Sequence, residues 1–438
     1  MSSGSARPAW AQPDRPHLTR SGLFLLAAVL GFPVVAALVA FAAPRLAALQ
    51  VRSPAVLAAN HLVTLGWGTM IALGALHQLL PAAAGVRRDP GRDVVIQFAA
   101  YLGGVAALAV GFGARLTGVL IAGGVLVVLS AGYTLIVAAA VVRRRSRWPA
   151  GLDLLVAATA CLGLVTVWGL LLAANWRLAV WPRLLISGLQ VHLALGLVGW
   201  FGLLIAGASY YLLPRFAGLK ESPVLRSRAV LLAGVAAVAG LAAGALAGGT
   251  FTRWGLIALG VAALLYAWDV AAFLRQWTKP APDITRAHWR VVAAGTAVLG
   301  AGVLLAAAGG LPGDRVRWAA AGVAWYLLGW VTLVITGQAY KVTPFLMWYY
   351  RFALGMSAYD VPRLEAPYWP RAGAVPLVLL TAGSVLIAGA TLAGHPAAAA
   401  AGGAAYAGGA AVFSYVLGYS WLPALWRVRR AGPIPAPP

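Results

Sequence analysis

The sequence has one cysteine, ten acidic residues and only 10% charged residues in 438 positions. Each scarcity excludes something. A lone Cys161 cannot make an internal disulfide, a multi-cysteine zinc site or a C-x-x-C-H haem attachment, and it reads as a small buried thiol. So little charge beside 62% hydrophobic residues and a mean hydropathy of +0.85 leaves too few polar side chains to cover a soluble core. The solvent must therefore be a lipid bilayer. The shortage of acid gives a net charge of +23, but the arginines are spread over short loops instead of forming one basic domain. They read as topology signals, with no nucleic acid as partner. No stretch reads as a cleavable signal peptide: residues 1–20 are polar and proline-rich, and the first apolar run is long enough to span and stay. No carboxylate lies near the middle of an apolar run, which argues against proton-coupled transport.

What is present is apolar length. Runs near 21–43, 53–81, 94–114, 117–142, 149–175, 183–214, 227–248, 254–274, 288–310, 316–346, 372–394 and 402–426 predict an all-α polytopic membrane protein with twelve transmembrane helices. Residues 1–20 form a polar tail, 21–426 one membrane domain, and 427–438 a basic, proline-rich tail. The N-terminal tail, the even-numbered loops and the C-terminal tail hold 25 of the 33 Lys and Arg. Arg143, Arg144, Arg145 and Arg147 are the densest group, and Arg427, Arg429 and Arg430 close the chain. The odd-numbered loops hold 8. That asymmetry predicts both termini in the cytoplasm.

One pattern occurs three times. Gly66-Trp67, Gly199-Trp200 and Gly329-Trp330 each open a GW-x6-G-x6-P frame that continues through Gly74, Gly207 and Gly337 to Pro81, Pro214 and Pro344. The frames lie in spans 2, 6 and 10, which divides the chain into three quasi-equivalent four-helix units of about 21–148, 149–286 and 287–426. The glycines predict close helix packing around a common centre, and each proline is expected to end its helix near the inner face.

Ionisable residues within spans are candidates for function because they are costly there. Asp153, Asp269, which has Arg275 six residues after it, and Lys341 lie near inner span ends and read as interfacial anchors. Of six histidines, His17, His288 and His395 read as surface residues. His77 lies 16 residues after His61, about 160° around a helix, and so on another face. His61 and His192 differ from the rest. They precede their Gly-Trp pairs by five and seven residues, in the outer halves of equivalent spans. Two imidazoles at similar depth can face one interior, either hydrogen-bonded to carbonyls or holding haem iron or another metal. Trp176, Trp181, Trp254, Trp348 and Trp421 read as interfacial belts, and Tyr210, Tyr211 and Tyr340 are compatible with the same role.

These features together resemble subunit I of the heme-copper oxidase superfamily, and most closely its cbb-type and nitric-oxide-reductase-like branches. Span 10, from Gly329-Trp330 through Gly337, Tyr340 and Pro344, is similar to that family's tenth helix. Span 6, with His192 followed by Tyr210-Tyr211-Leu-Leu-Pro214, is similar to the sixth, and the segment from Lys220 to Arg228 is similar to the loop after it. His61 resembles a low-spin haem ligand. The resemblance implies twelve helices in three sets, a b-type haem, respiratory or cytochrome partner subunits and a prokaryotic-type plasma membrane. The sequence departs from the family at the metal centre. Gly322 and Ala324 stand where its tenth helix carries His-x-His, and span 7 has no histidine. His61 and His192 are the two ligand positions kept of six, so neither the family's five-coordinate haem nor its three-histidine copper site can be built as the family builds it, and the isolated chain is not expected to reduce oxygen or nitric oxide. A transporter or channel, or a metal-free scaffold on the same shell, is the alternative, although most transporters show two repeats with broken helices.

Overall fold

A computed structural model describes residues 17–88, 90–181, 184–278, 283–348 and 372–419. Trp421, Arg427, Arg429 and Arg430 lie outside them, as do the side chains of His17 and Trp348. Among the described residues all regular structure is helical. Twelve helices are long and apolar enough to cross a membrane: α1 Arg20–Ala47, α2 Pro54–Ala84, α3 Arg92–Gly113, α4 Thr117–Arg143, α5 Leu152–Leu178, α6 Ser187–Ala217, α7 Val224–Ala247, α8 Gly249–Arg275, α9 Ile284–Ala307, α10 Arg315–Pro344, α11 Ala374–Ala393 and α12 Pro396–Tyr419. The chain is an integral membrane protein whose outer surface faces lipid.

The helix starts follow local chemistry. Ser53 caps α2 with Pro54 in the first turn, and Asp283 and Asp314 accept backbone N–H groups at the starts of α9 and α10. Some boundaries differ from the sequence expectation. Helix α12 begins at Pro396 instead of 402, because Gly394 closes α11 in the left-handed region and proline suits a helix start. The frame prolines do not end their helices, and past Pro344, where the apolar span of α10 stops, the helix continues to Trp348. Proline removes only its own N–H, so α2 and α6 run on to Ala84 and Ala217, and left-handed Gly85 and Gly218 then close them.

Two of the three frame helices are the most enclosed of the twelve spans. In α6 and α10, 61% of the most apolar window is buried inside the protein, against 17% in α7. Helix α2 packs on α1 and α3, α6 on α5 and α7, and α10 on α9 and α11; α12 returns to α1. The second glycine of each frame is where its helix meets the helix before it. A Cβ there would come within 2.9 Å of Phe24 at Gly74, of the Gly151 carbonyl at Gly207, and within 2.6 Å of His288 at Gly337. Only hydrogen fits at these crossings.

All three Gly-Trp pairs lie in π-helical turns, Leu62–Thr69, Ala194–Gly202 and Trp325–Val331. Their i→i−5 bonds run from Met70 to Leu65, Leu203 to Val198 and Thr332 to Leu327. Hydroxyl groups add further bonds to carbonyls of these turns. Tyr101 donates to the Leu65 carbonyl at 3.0 Å, Tyr326 to Leu197 at 2.6 Å, and Thr332 to Leu327 at 3.0 Å. The Tyr326 bond also ties α10 to α6. Trp200 ties α6 to α2 by donating its indole N–H to Thr69 Oγ1 at 2.8 Å. Three helices thus meet through their irregular turns. Such turns are frequent at functional sites.

Candidate functional site

The histidine pair lies beside these turns. His61 directly precedes the π-turn of α2, and His192 is two residues before that of α6. Their ring centroids are 6.5 Å apart with planes inclined by 29°. Phe112 of α3 stacks on His61 at 4.4 Å, and Trp176 of α5 meets Phe112 edge-on at 6.0 Å. Gly169 of α5 makes room for the second ring: a Cβ there would lie 2.9 Å from His192 Cε1. Four helices, α2, α3, α5 and α6, therefore shape the pair.

The hydrogen bonds show what the rings can offer. His61 Nδ1 lies 2.8 Å from the Leu57 carbonyl. A carbonyl only accepts, so Nδ1 carries the proton and Nε2 presents a lone pair. His192 Nδ1 is buried with no hydrogen-bond partner among the described residues. An ion about 2 Å from one nitrogen of each imidazole would put the ring centres about 6 Å apart, close to the observed separation. No group of three His, Cys, Asp or Glu side chains able to hold a metal occurs among the described residues. Two imidazoles without a third ligand could hold a haem, which would bring the remaining ligands of its iron itself. They do not suit a three-histidine copper centre.

Helix α10 fills its part of the interior with aromatic rings. Tyr326 stacks on Trp330 at 5.0 Å, and Trp330 donates to Thr296 Oγ1 at 2.7 Å. Ala324 is buried, and at Gly322 a Cβ would meet nothing within 4 Å.

Several other expectations change in three dimensions. His288 is buried and not at the surface: α9 begins at Ile284, so His288 is a turn inside it, packed on Gly337 with Nδ1 2.8 Å from the Ile284 carbonyl. Tyr210, Tyr211 and Tyr340 are buried and form no interfacial belt. Trp176, Trp181 and Trp254 are exposed at helix ends, as a belt requires. Asp269 pairs with Arg226 of α7 at 3.0 Å and accepts from Tyr210 at 2.6 Å, while Arg275 lies over the Trp268 ring. Asp153 pairs with Arg228, and Lys341 with Asp283. Cys161 is half-buried against Gly199.

One polar network was not legible in the sequence. His77 Nε2 donates to Gln97 Oε1 at 2.7 Å, and Gln97 Nε2 donates to the Ser130 carbonyl and to Thr134. The Ser130 carbonyl can only accept, so it fixes the orientation of the amide. Arg88 reaches His77 Nδ1 at 3.2 Å, and it also contacts Asp93 and Tyr133, which donates to Asp93. His77 therefore belongs to a second cluster and not to the His61 site. Its partners come from a loop and two neighbouring helices, and no sequence spacing links them.

No model of a known protein family matches the sequence, and no curated protein sequence is similar to it.

Proposed function

We propose that the chain is a membrane protein of the heme-copper oxidase subunit I type. In this reading it is built as three quasi-equivalent four-helix units, has no oxygen- or nitric-oxide-reducing centre, and keeps one haem site on His61 and His192. The single observation that carries the reading is the pair of imidazoles 6.5 Å apart between the irregular turns of α2 and α6. The repeated frames support the unit grouping, because the same π-turn and the same close glycine crossing recur in α2, α6 and α10. A bound b-type haem would supply one-electron transfer.

The protein's residues have distinct tasks in this reading. Leu57 holds His61 in the tautomer that leaves Nε2 as a ligand. Gly169 admits the His192 ring, and Phe112 covers His61. Without imidazoles at 322, 324 or in α7, no copper is held beside the haem, and the chain works with respiratory or cytochrome subunits. The test is one optical spectrum of the purified protein, oxidised and dithionite-reduced. A Soret band that shifts on reduction is expected. A protein purified from haem-replete cells with no Soret band would replace this reading with a metal-free scaffold.

A further inference from the structure

Charge balance differs between the two ends of the bundle. All five ion pairs among the described residues join Arg or Lys to a carboxylate at the end reached by the even-numbered loops. The odd-numbered loops carry 8 Lys and Arg and a single acid, Asp314, which is engaged in capping α10. Arg45 and Arg317 of this end bond to backbone carbonyls. The side chains of Arg52 and Arg115 have no hydrogen bond or ion pair among the described residues, and they line one cavity of about 300 Å³.

Apart from Thr117, the rest of that cavity is apolar. Leu57, Phe112, Leu120 and Trp176 form its walls, and Pro54 brings the N-terminal end of α2, with its partial positive charge, to the same edge. Trp176 is exposed at the end of α5, at the level where tryptophan meets lipid headgroups. Two guanidiniums beside one cavity repel unless an anion lies between them, and their flat donor forks match phosphate oxygens. A cationic pair above an apolar slot at the membrane boundary therefore complements a molecule with an anionic head and a greasy body.

We propose that this cavity binds the phosphate of one anionic phospholipid, held by Arg52 and Arg115, with its glycerol end against Leu57, Leu120 and Trp176. The inference does not depend on the haem reading.

The test is native mass spectrometry of the full chain released from vesicles of mixed phosphatidylcholine and phosphatidylglycerol. The wild-type chain should retain phosphatidylglycerol selectively. An Arg52→Gln/Arg115→Gln variant should retain it about tenfold more weakly. Leu57→Trp, which fills the slot and leaves the charge intact, should also displace it. An Arg143→Gln/Arg145→Gln variant, at the opposite end, should keep it. Melting temperatures in detergent check that each variant is folded. Equal retention of both lipids by the wild type, or undiminished retention by the Arg52/Arg115 variant, would overturn the proposal. So would displacement of the lipid by inorganic phosphate alone, which would make this a site for free anions. Retained lipid together with a shifted Soret band in the same variant would assign the two arginines to haem propionates and equally overturn it.

Discussion

The indole N–H of Trp200 donates to the hydroxyl of Thr69 at 2.8 Å, so the tryptophan of the second frame is anchored on the π-turn of the first. The third frame reaches the second by another route, from Tyr326 to the Leu197 carbonyl. The tryptophans are thus not equivalent in their bonds: Trp330 turns to Thr296 of α9, and Trp67 stacks on Phe32 of α1 with centroids 3.9 Å apart. The residue repeats, while its partner changes with the neighbouring helix.

Breaking that anchor should loosen α2 from α6. Trp200→Phe leaves the Thr69 hydroxyl buried without its donor, and Thr69→Val does the reverse. Each should cost about 1–3 kcal/mol. The double variant should cost less than the sum, because the second change removes a group already orphaned. Unfolding in mixed micelles measures all three, and strict additivity would show that the bond carries no coupling.

The close glycine crossings should be intolerant of side chains. Gly207→Val pushes into the Gly151 carbonyl and the backbone of Leu155. It should destabilise by several kcal/mol, of the order found for overpacked interiors, or prevent folding. Gly322→Ala, where a Cβ meets nothing within 4 Å, should change the melting temperature little. Equal effects of the two would mean that α5 and α6 do not cross at Gly207.

His61→Ala should abolish the Soret band, and His192→Ala should shift it, since both imidazoles would hold the haem in this reading. Gly169→Ala is the more discriminating variant. It keeps both histidines but places a methyl 2.9 Å from His192 Cε1. It should shift the reduced spectrum in the same direction as His192→Ala. A haem spectrum left unchanged by the double histidine variant would remove these residues from the site.

Catalytic oxygen uptake by the isolated chain, with reduced cytochrome or quinol as donor, should be at background. The reason lies in residue types at named positions: Gly322, Ala324 and a seventh helix without histidine. Turnover well above a boiled control in an oxygen-electrode assay would contradict it.

Asp269 is buried and its charge is balanced by Arg226, whose side chain is half exposed. Arg226→Gln should destabilise by about 1–3 kcal/mol, less than the loss of a fully enclosed pair, because water screens the exposed partner. Tyr210→Phe removes the second partner of the same carboxylate and should add to that loss less than its single effect. Micelle unfolding of the two single variants and the double variant decides this.

The membrane class, the twelve spans and the special standing of spans 2, 6 and 10 could be read directly from the order of residues. Apolar length and fixed Gly, Trp and Pro offsets are local properties, readable without knowing what packs where. The order of residues also placed His61 and His192 at similar depth, because depth follows from position along a helix. Their 6.5 Å separation came with the folded bundle, because it depends on how α2 and α6 rotate and on the π-turns beside each ring. The same holds for the choice of Arg226 over Arg275 as the partner of Asp269. A neighbour on the same helix is visible as a spacing, whereas one on an adjacent helix is fixed by packing. His288 shows the limit from the other side: a four-residue shift in where α9 starts moves an imidazole from the surface into the interior. The cap at Asp283 set that start, and the hydrogen in place of a side chain at Gly337 gave the ring somewhere to go.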